Sequence, residues 1–158
     1  MERRDKVACP LFQRWLAIDL GTVRIGVAYG VVSHGIASPL EVIAAIPPAA
    51  AIDRIQQLAR EYNAQAIVVG LPLNMDDTEG PQARLSRTWA VQLAAVCGLE
   101  VRLWDERLSS FTADQALAGQ MTRKKKKARQ DALAAASMLQ DFLARRGNET
   151  AEIVTAAE

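Results

Sequence analysis

Two kinds of hydrophobic pattern alternate along the chain: short continuous apolar runs, and stretches with apolar residues three or four positions apart. The continuous runs are typical of β-strands and predict five of them, at residues 15–19, 24–32, 40–46, 66–70 and 101–104. The first two are joined by the short connection 20–23, which favours an antiparallel hairpin. The run at 66–70 is bounded by Gly70 and is typical of a strand buried on both faces.

Helical spacing occupies the stretches between and after these strands. It predicts a helix from Ala49 after the Pro47-Pro48 pair, a second over 81–97 with Pro81 at its first position, a third over 112–117 and a last over 129–145. The predicted inward faces are Leu85, Trp89, Leu93 and Val96 in the second helix, and Ala132, Ala135, Ala136, Leu139, Phe142 and Leu143 in the last.

The resulting order, β-β-β-α-β-α-β-α-α, predicts a mixed α/β fold with helices covering a hairpin-led sheet. The chain's length of 158 residues, half of them hydrophobic, suits one globular domain. We expect that domain over residues 15–146, with an N-terminal extension at 1–14 and a flexible acidic tail at 147–158. No segment is long and apolar enough for a membrane span or a secretory signal, so we expect a soluble cytoplasmic protein without a membrane partner.

Cysteine and histidine are too few for several kinds of chemistry. The two thiols, Cys9 and Cys97, are far apart, which suits a reducing compartment and not a disulfide framework. With His34 as the single histidine, in a turn-like Ser-His-Gly context, a zinc site would lack its usual ligands and a histidine-based hydrolase is disfavoured. Carboxylates therefore remain as the candidate reactive groups.

Charge is unevenly distributed. Residues 102–146 contain ten Lys or Arg against five Asp or Glu, a net charge of +5, whereas the rest of the chain carries −4. A basic run of this kind either binds a phosphate backbone or is a solvated surface patch. Its members are Arg123, Lys124, Lys125, Lys126, Lys127 and Arg129.

Acidic residues follow two of the predicted strands, and a third acidic position lies in the last helix. Asp19 ends the first strand and is either a metal ligand or a turn-forming side chain that caps Gly21 or Thr22. Asp105 and Glu106 end the fifth strand, and because neighbouring strand side chains point to opposite faces, only one of them can share a site with Asp19. We favour Glu106 for its longer side chain. Asp131, expected in the first turn of the last helix, is either a helix-dipole partner or a third ligand beside the basic run.

Three carboxylates on separate elements suit hard cations such as Mg²⁺ or Mn²⁺. Two such ions about 3.5–4 Å apart activate a water and stabilise the leaving oxygen in phosphodiester cleavage. Arg24, Asn74 and Arg107 are candidates for phosphate contacts, and each is equally compatible with a structural role.

Four segments, taken together and in order, resemble the YqgF/RuvX family of bacterial Holliday junction resolvases and pre-16S rRNA nucleases. They are IDLGTVRIGVA at 18–28, VGLPLNMD at 69–76 with EGP at 79–81, DERLS at 105–109, and RKK at 123–125 followed by DALAA at 131–135. The resemblance implies an RNase H-like fold with a central five-stranded mixed sheet and a metal-dependent acidic site formed by Asp19, Glu106 and Asp131. It also places Asn74 in a loop that positions substrate. Two departures are Asp77, where the family has glycine, and Ser109-Ser110, where it has paired threonines.

From these observations we expect an endonuclease that uses Mg²⁺ or Mn²⁺ to cleave branched or structured nucleic acid. Resolution of a four-way DNA junction, which requires two coordinated cuts, is favoured and predicts a homodimer. Processing of precursor 16S rRNA is the alternative, and a non-catalytic nucleic-acid-binding factor is a third. The segment IDLGT at 18–22 also resembles the phosphate loop of actin-like ATPases, but those proteins enclose nucleotide between two such domains and this chain has room for one.

Overall fold

A single six-stranded sheet forms the centre of the molecule, in the order β3-β2-β1-β4-β5-β6. The computed structural model describes residues 12–108 and 123–156. The strands are β1 (Arg14–Leu20), β2 (Arg24–Val31), β3 (Ala37–Ala44), β4 (Ala66–Leu71), β5 (Glu100–Asp105) and β6 (Glu152–Val154), and the helices are α1 (Pro48–Glu61), α2 (Pro81–Cys97), α3 (Arg123–Ala144) and the short α4 (Gly147–Thr150).

Strand direction changes across the sheet as the hydrophobic pattern predicts. β1 and β2 form an antiparallel hairpin, β3 adds antiparallel to β2, and β1, β4 and β5 run parallel. Every residue of β4 is buried, in agreement with its continuous apolar composition. The carboxyl ends of β1, β4 and β5 therefore meet at one edge of the sheet.

Helices cover both faces of this sheet. Helices α1 and α2 pack on one face with Leu16, Ile18 and Ile67, and α3 packs on the other with Trp15 and Val68. The predicted inward face of α3 is confirmed, since all six of its residues are buried. The predicted face of α2 is partly wrong because Leu85 and Val96 are exposed. The helix instead turns small residues to the sheet, which permits a closer approach: Ala83, Ser86 and Ala90, beside Trp89 and Leu93.

Two element boundaries differ from the prediction. Strand β3 begins and ends earlier in the chain than expected and includes Pro39, which an edge strand tolerates because one side of its backbone is not in the ladder. Helix α3 begins at Arg123 instead of residue 129, because the Lys-, Arg- and Ala-rich segment has high helix propensity. The helix predicted at 112–117 lies outside the described residues.

The C-terminal residues correct the expectation of a five-stranded sheet with a flexible tail. Residues 152–154 form β6, antiparallel to β5, with Val154 buried opposite Val101. Arg102 donates a hydrogen bond of 2.8 Å to the Ala151 carbonyl, and Glu152 pairs with Arg87 at 2.6 Å. These long-range contacts stabilise the segment even though its own sequence has a weak strand pattern. Among the described residues, no helix is long and apolar enough to cross a membrane.

Candidate active site

Asp19 lies near the carboxyl end of the central strand β1, where its side chain is only partly exposed. Its neighbour in the sheet is Gly26 of β2. The flanking residues Ile18 and Leu20 are buried on the α1 and α2 side of the sheet, so alternation turns Asp19 towards the α3 side. Strand β1 thus presents one carboxylate beneath α3.

Glu106 follows β5 directly and begins a short 3-10 turn, Glu106–Leu108. Its carboxyl group extends across the end of β4 and is hydrogen-bonded to Asp19. Gly70 of β4 makes this possible: a Cβ at this position would lie 2.8 Å from Met138 Sδ and 3.0 Å from Glu106 Cδ, and closer still to Glu106 Oε1. The structure therefore brings the two sequence-predicted carboxylates together across a strand that has no side chain in between.

Burial and mutual repulsion make this carboxylate pair hold a proton. Burial raises the pKa of Glu106 to about 8, with further contributions from the charge of Asp19, their hydrogen bond and the charge of Asp105. Burial also raises the pKa of Asp19, while the hydrogen bond from Glu106 acts in the opposite direction. The two carboxyl groups therefore share a proton, and their hydrogen bond joins a protonated group to an ionised one.

Asp131 reaches the same region from α3, the helix that covers the face towards which Asp19 points. It lies in the third turn of α3, not in the first turn as expected, because the helix begins at Arg123. A Cβ on Gly26 would be 2.5 Å from the Asp131 carbonyl carbon and 3.2 Å from the Ala132 nitrogen, so the helix backbone rests directly on the strand at this glycine. This contact brings the charge of Asp131 close enough to raise the pKa of Asp19 further.

Arg24 is the hydrogen-bond partner of Asp131. Its Nε donates to Asp131 Oδ2 at 2.8 Å, and both side chains are partly exposed. Arg24 begins β2, one position before the strand pairs with the end of β1. It therefore neutralises the third carboxylate at the border of the Asp19–Glu106 pair.

The donor chemistry fits a divalent cation, with Asp19 and Glu106 as the converging ligands. Two buried carboxylates that share a proton offer oxygen ligands, and release of that proton gives the charge that Mg²⁺ or Mn²⁺ requires. Within residues 12–108 and 123–156, no group of three or more His, Cys, Asp or Glu side chains is arranged to hold a metal ion. The carboxylate of Asp131 instead pairs with Arg24.

The turn between β4 and α2 begins where the end of β4 pairs with Asp105, the residue before Glu106. Its closing pair is Leu73 with Glu79, and the Asn74 side chain donates to Thr78 Oγ1 at 2.9 Å within the turn. Asp77 has a φ of 70°, in the left-handed region that favours glycine. Its carboxylate accepts a hydrogen bond of 2.7 Å from Arg107.

The remaining predicted residues are placed differently. Arg107 hydrogen-bonds to the β4–α2 turn and to Asp105, whereas Glu106 joins Asp19. The basic run forms the first turns of α3, ahead of the predicted start of that helix, and the structure describes only its backbone. Gly26 and Gly70 are site-forming residues that the sequence analysis missed. The available signal was glycine inside an apolar strand, which often marks a close approach by another group.

Comparison with protein families gives one match over most of the chain. The family model described as "RuvX: Holliday junction resolvase" matches residues 13–145. Curated relatives named "Putative pre-16S rRNA nuclease" include one from Anaeromyxobacter sp. (strain K), 43% identical over 84% of this chain and 98% of the relative. Another, from Pelotomaculum thermopropionicum, is 39% identical over 88% of this chain and 92% of the relative.

Solved structures show the same fold at low sequence identity. RuvC of Thermus thermophilus matches with a TM-score of 0.52 and 18% identity, over 89% of this chain and 99% of that protein. The same protein in complex with a Holliday junction substrate matches with a TM-score of 0.51. The expected RNase H-like fold is thereby confirmed, with six strands in place of five.

Proposed function

The chain belongs to the RuvX family, and from this premise we propose that it is a divalent-metal-dependent endonuclease acting on branched or structured nucleic acid. The observation that carries the proposal is the hydrogen-bonded pair of Asp19 and Glu106, with Asp131 on the adjacent helix. Buried carboxylates with raised pKa values at the end of a sheet favour a cation site over a structural role. The nuclease names of the relatives agree with this chemistry.

In the proposed mechanism, two of the carboxylates share one task and the third supports them. Asp19 and Glu106 would hold the cation once the proton that they share is released, and Asp131 would complete the acidic site from α3. A divalent cation bound there would supply a water of lowered pKa and would stabilise negative charge on the leaving oxygen. Arg24 keeps Asp131 oriented at the site border through its 2.8 Å hydrogen bond. The fold thus holds the acidic groups on two strand ends and one helix, which limits their motion.

Substrate binding is assigned to the basic run at the start of α3. Arg123, Lys124–Lys127 and Arg129 precede Asp131 on the same helix. Lys and Arg side chains there would bind phosphates without reading sequence, so binding should be strongly salt-dependent.

Two substrates are compatible with this site. A four-way DNA junction agrees with the description of the family, and it requires a symmetric dimer with two active sites. A precursor of 16S rRNA agrees with the names of the curated relatives and requires no dimer. We favour the junction because the basic segment suits recognition of backbone and shape, and a homodimer measured by light scattering would agree with it.

The test is a cleavage assay with a labelled four-way junction and a precursor 16S rRNA fragment. Each substrate is incubated with Mg²⁺, Mn²⁺ or EDTA, beside the Asp19→Asn variant and the control Asp53→Asn, which changes an exposed acid on α1. We expect metal-dependent cleavage that Asp19→Asn abolishes and Asp53→Asn preserves. Paired cuts in the junction alone identify a resolvase, and cuts in the RNA alone identify a maturation nuclease. Binding of either substrate without cleavage in any metal would contradict the proposal and favour a non-catalytic binding factor.

A further inference from the structure

Arg107 directly follows the carboxylate Glu106 in the chain, yet its guanidinium points into the protein's own β4–α2 turn. Nε donates to Asp105 Oδ1 at 3.0 Å, and Nη2 donates to Asp105 Oδ2 at 2.8 Å. Nη1 donates to the Asn74 carbonyl at 2.9 Å and lies 3.4 Å from the Met75 carbonyl. Nη2 also donates to Asp77 Oδ1 at 2.7 Å. A guanidinium has five N–H donors, and these acceptors account for all five.

The charges around Arg107 also disfavour a contact with substrate phosphate. Its single positive charge is shared by the carboxylates of Asp105 and Asp77, both within hydrogen-bond distance. The three groups together carry a net charge of −1. A phosphate approaching this cluster would meet repulsion and would have to displace existing charge-assisted hydrogen bonds.

The turn depends on these contacts for its conformation. Asp77 adopts a φ of 70°, which is unfavourable for most side chains, and its carboxylate is held by Arg107. Two backbone hydrogen bonds within the turn, from Asn74 N to the Thr78 carbonyl and from Asp77 N to the Asn74 carbonyl, are each 2.9 Å. The Asn74 carbonyl therefore accepts from both the turn and Arg107, so the guanidinium joins the turn to the end of β5.

We propose that Arg107 is a positioning residue that fixes the β4–α2 turn against the carboxylate pair and does not itself bind the nucleic-acid backbone. The turn and the segment carrying Glu106 then move as one unit. Only the substrate named in this inference rests on the proposed nuclease function. The anchoring of the turn does not, because it is measurable without turnover.

The experiment compares Arg107→Gln and Arg107→Lys with the wild type and with a matched control. Arg54→Gln is the control, because Arg54 makes a similar half-exposed bidentate pair with Glu41 elsewhere on the surface. Measured quantities are kcat and KM, the slope of log binding affinity against log salt, and hydrogen exchange at the amides of Asn74 and Asp77. Thermal unfolding confirms that all variants are folded.

For a positioning residue, Arg107→Gln should lower kcat by about 10- to 100-fold, the effect of a small displacement of reacting groups. KM and the salt slope should remain unchanged, and exchange at the two turn amides should become faster. Arg107→Lys should fail to restore kcat, because an ammonium cannot replace the planar five-donor group. Arg54→Gln should match the wild type in every measurement.

A phosphate-binding Arg107 would give the opposite results. The salt slope would fall by about 1 in Arg107→Gln, Arg107→Lys would recover most of the affinity, and the turn amides would keep their protection. That combination, or unchanged exchange alone, overturns the proposal. If the wild type itself cleaves neither substrate, the proposed function fails, while the exchange and salt-slope measurements still decide the role of Arg107.

Discussion

Replacement of Gly26 by alanine tests whether the close approach of α3 to β2 sets the position of Asp131. The added carbon would lie closest to the Asp131 carbonyl oxygen and 2.5 Å from the carbonyl carbon, whereas ordinary contacts begin at 3.4 Å, so the helix must retreat by more than about 1 Å. Both nearest groups are backbone, and no side-chain rotation relieves the overlap. We expect the free energy of unfolding to fall by about 2–3 kcal/mol, as in overpacked cores. Cleavage should fall about 100-fold because Asp131 moves away from Asp19.

Gly30→Ala is the matched control for this prediction. Gly30 lies four residues later on the same strand and faces the same helix, but its added carbon would meet Leu139 Cδ2 at 3.1 Å and the Ile36 carbonyl at 3.2 Å. A shift of a few tenths of an ångström relieves these contacts. Urea unfolding followed by tryptophan fluorescence and cleavage at saturating metal compare the two variants under conditions where both are folded. Equal losses of stability and of activity in Gly26→Ala and Gly30→Ala would refute the argument that the backbone contact at Gly26 positions Asp131.

Three further predictions concern the carboxylate pair and the edge of the sheet that β6 forms. In EDTA, the free energy of unfolding of the wild type should fall between pH 5 and pH 8, because folded Glu106 retains its proton up to a pKa of about 8 and the unfolded side chain ionises near 4.5. Glu106→Gln should remove this pH dependence in urea titrations. A pH dependence that persists in the variant would place the proton elsewhere. Metal binding near pH 7 should release about one proton in calorimetry run in buffers of different ionisation enthalpy, and no release would contradict a protonated Glu106. A chain ending at residue 146 should unfold at lower temperature and aggregate more readily, since loss of β6 exposes the edge of β5; unchanged melting would show that β6 is dispensable.

Most of the elements follow from local sequence pattern. The runs at β1, β2, β4 and β5 are apolar enough to be buried in any compact arrangement, and Pro81 determines where α2 begins. The predictions from sequence fail at positions where local pattern and tertiary context disagree. Residues 152–154 have only three positions of strand pattern, and the sixth strand is stabilised by contacts distant in sequence: its pairing with β5, the burial of Val154 and the hydrogen bond from Arg102 to the Ala151 carbonyl.

The sequence predicts only in part which side chains lie together in the candidate site. Asp19 and Glu106 follow predicted strands, and parallel strands bring such ends to one edge of the sheet. The sequence could not decide whether Arg107 contacts substrate or the turn that contains Asn74, because an arginine beside an acidic site is equally compatible with either role. In the structure, Asn74 and Asp77 of the turn accept hydrogen bonds from the Arg107 guanidinium, which supports the positioning role that we propose.

The sequence by itself determined the order of the first five strands along the chain, the mixed α/β class and the acidic character of the site, because these depend on hydrophobic period and residue type. Only the tertiary structure decided how near the acidic groups come to one another. That distance depends on two absent side chains: Gly26 lets α3 rest on β2, and Gly70 leaves room for Glu106 to reach Asp19. Proximity across a sheet is a property of packed backbones. A glycine inside an apolar strand indicates that some group comes close, but the local pattern does not identify that group.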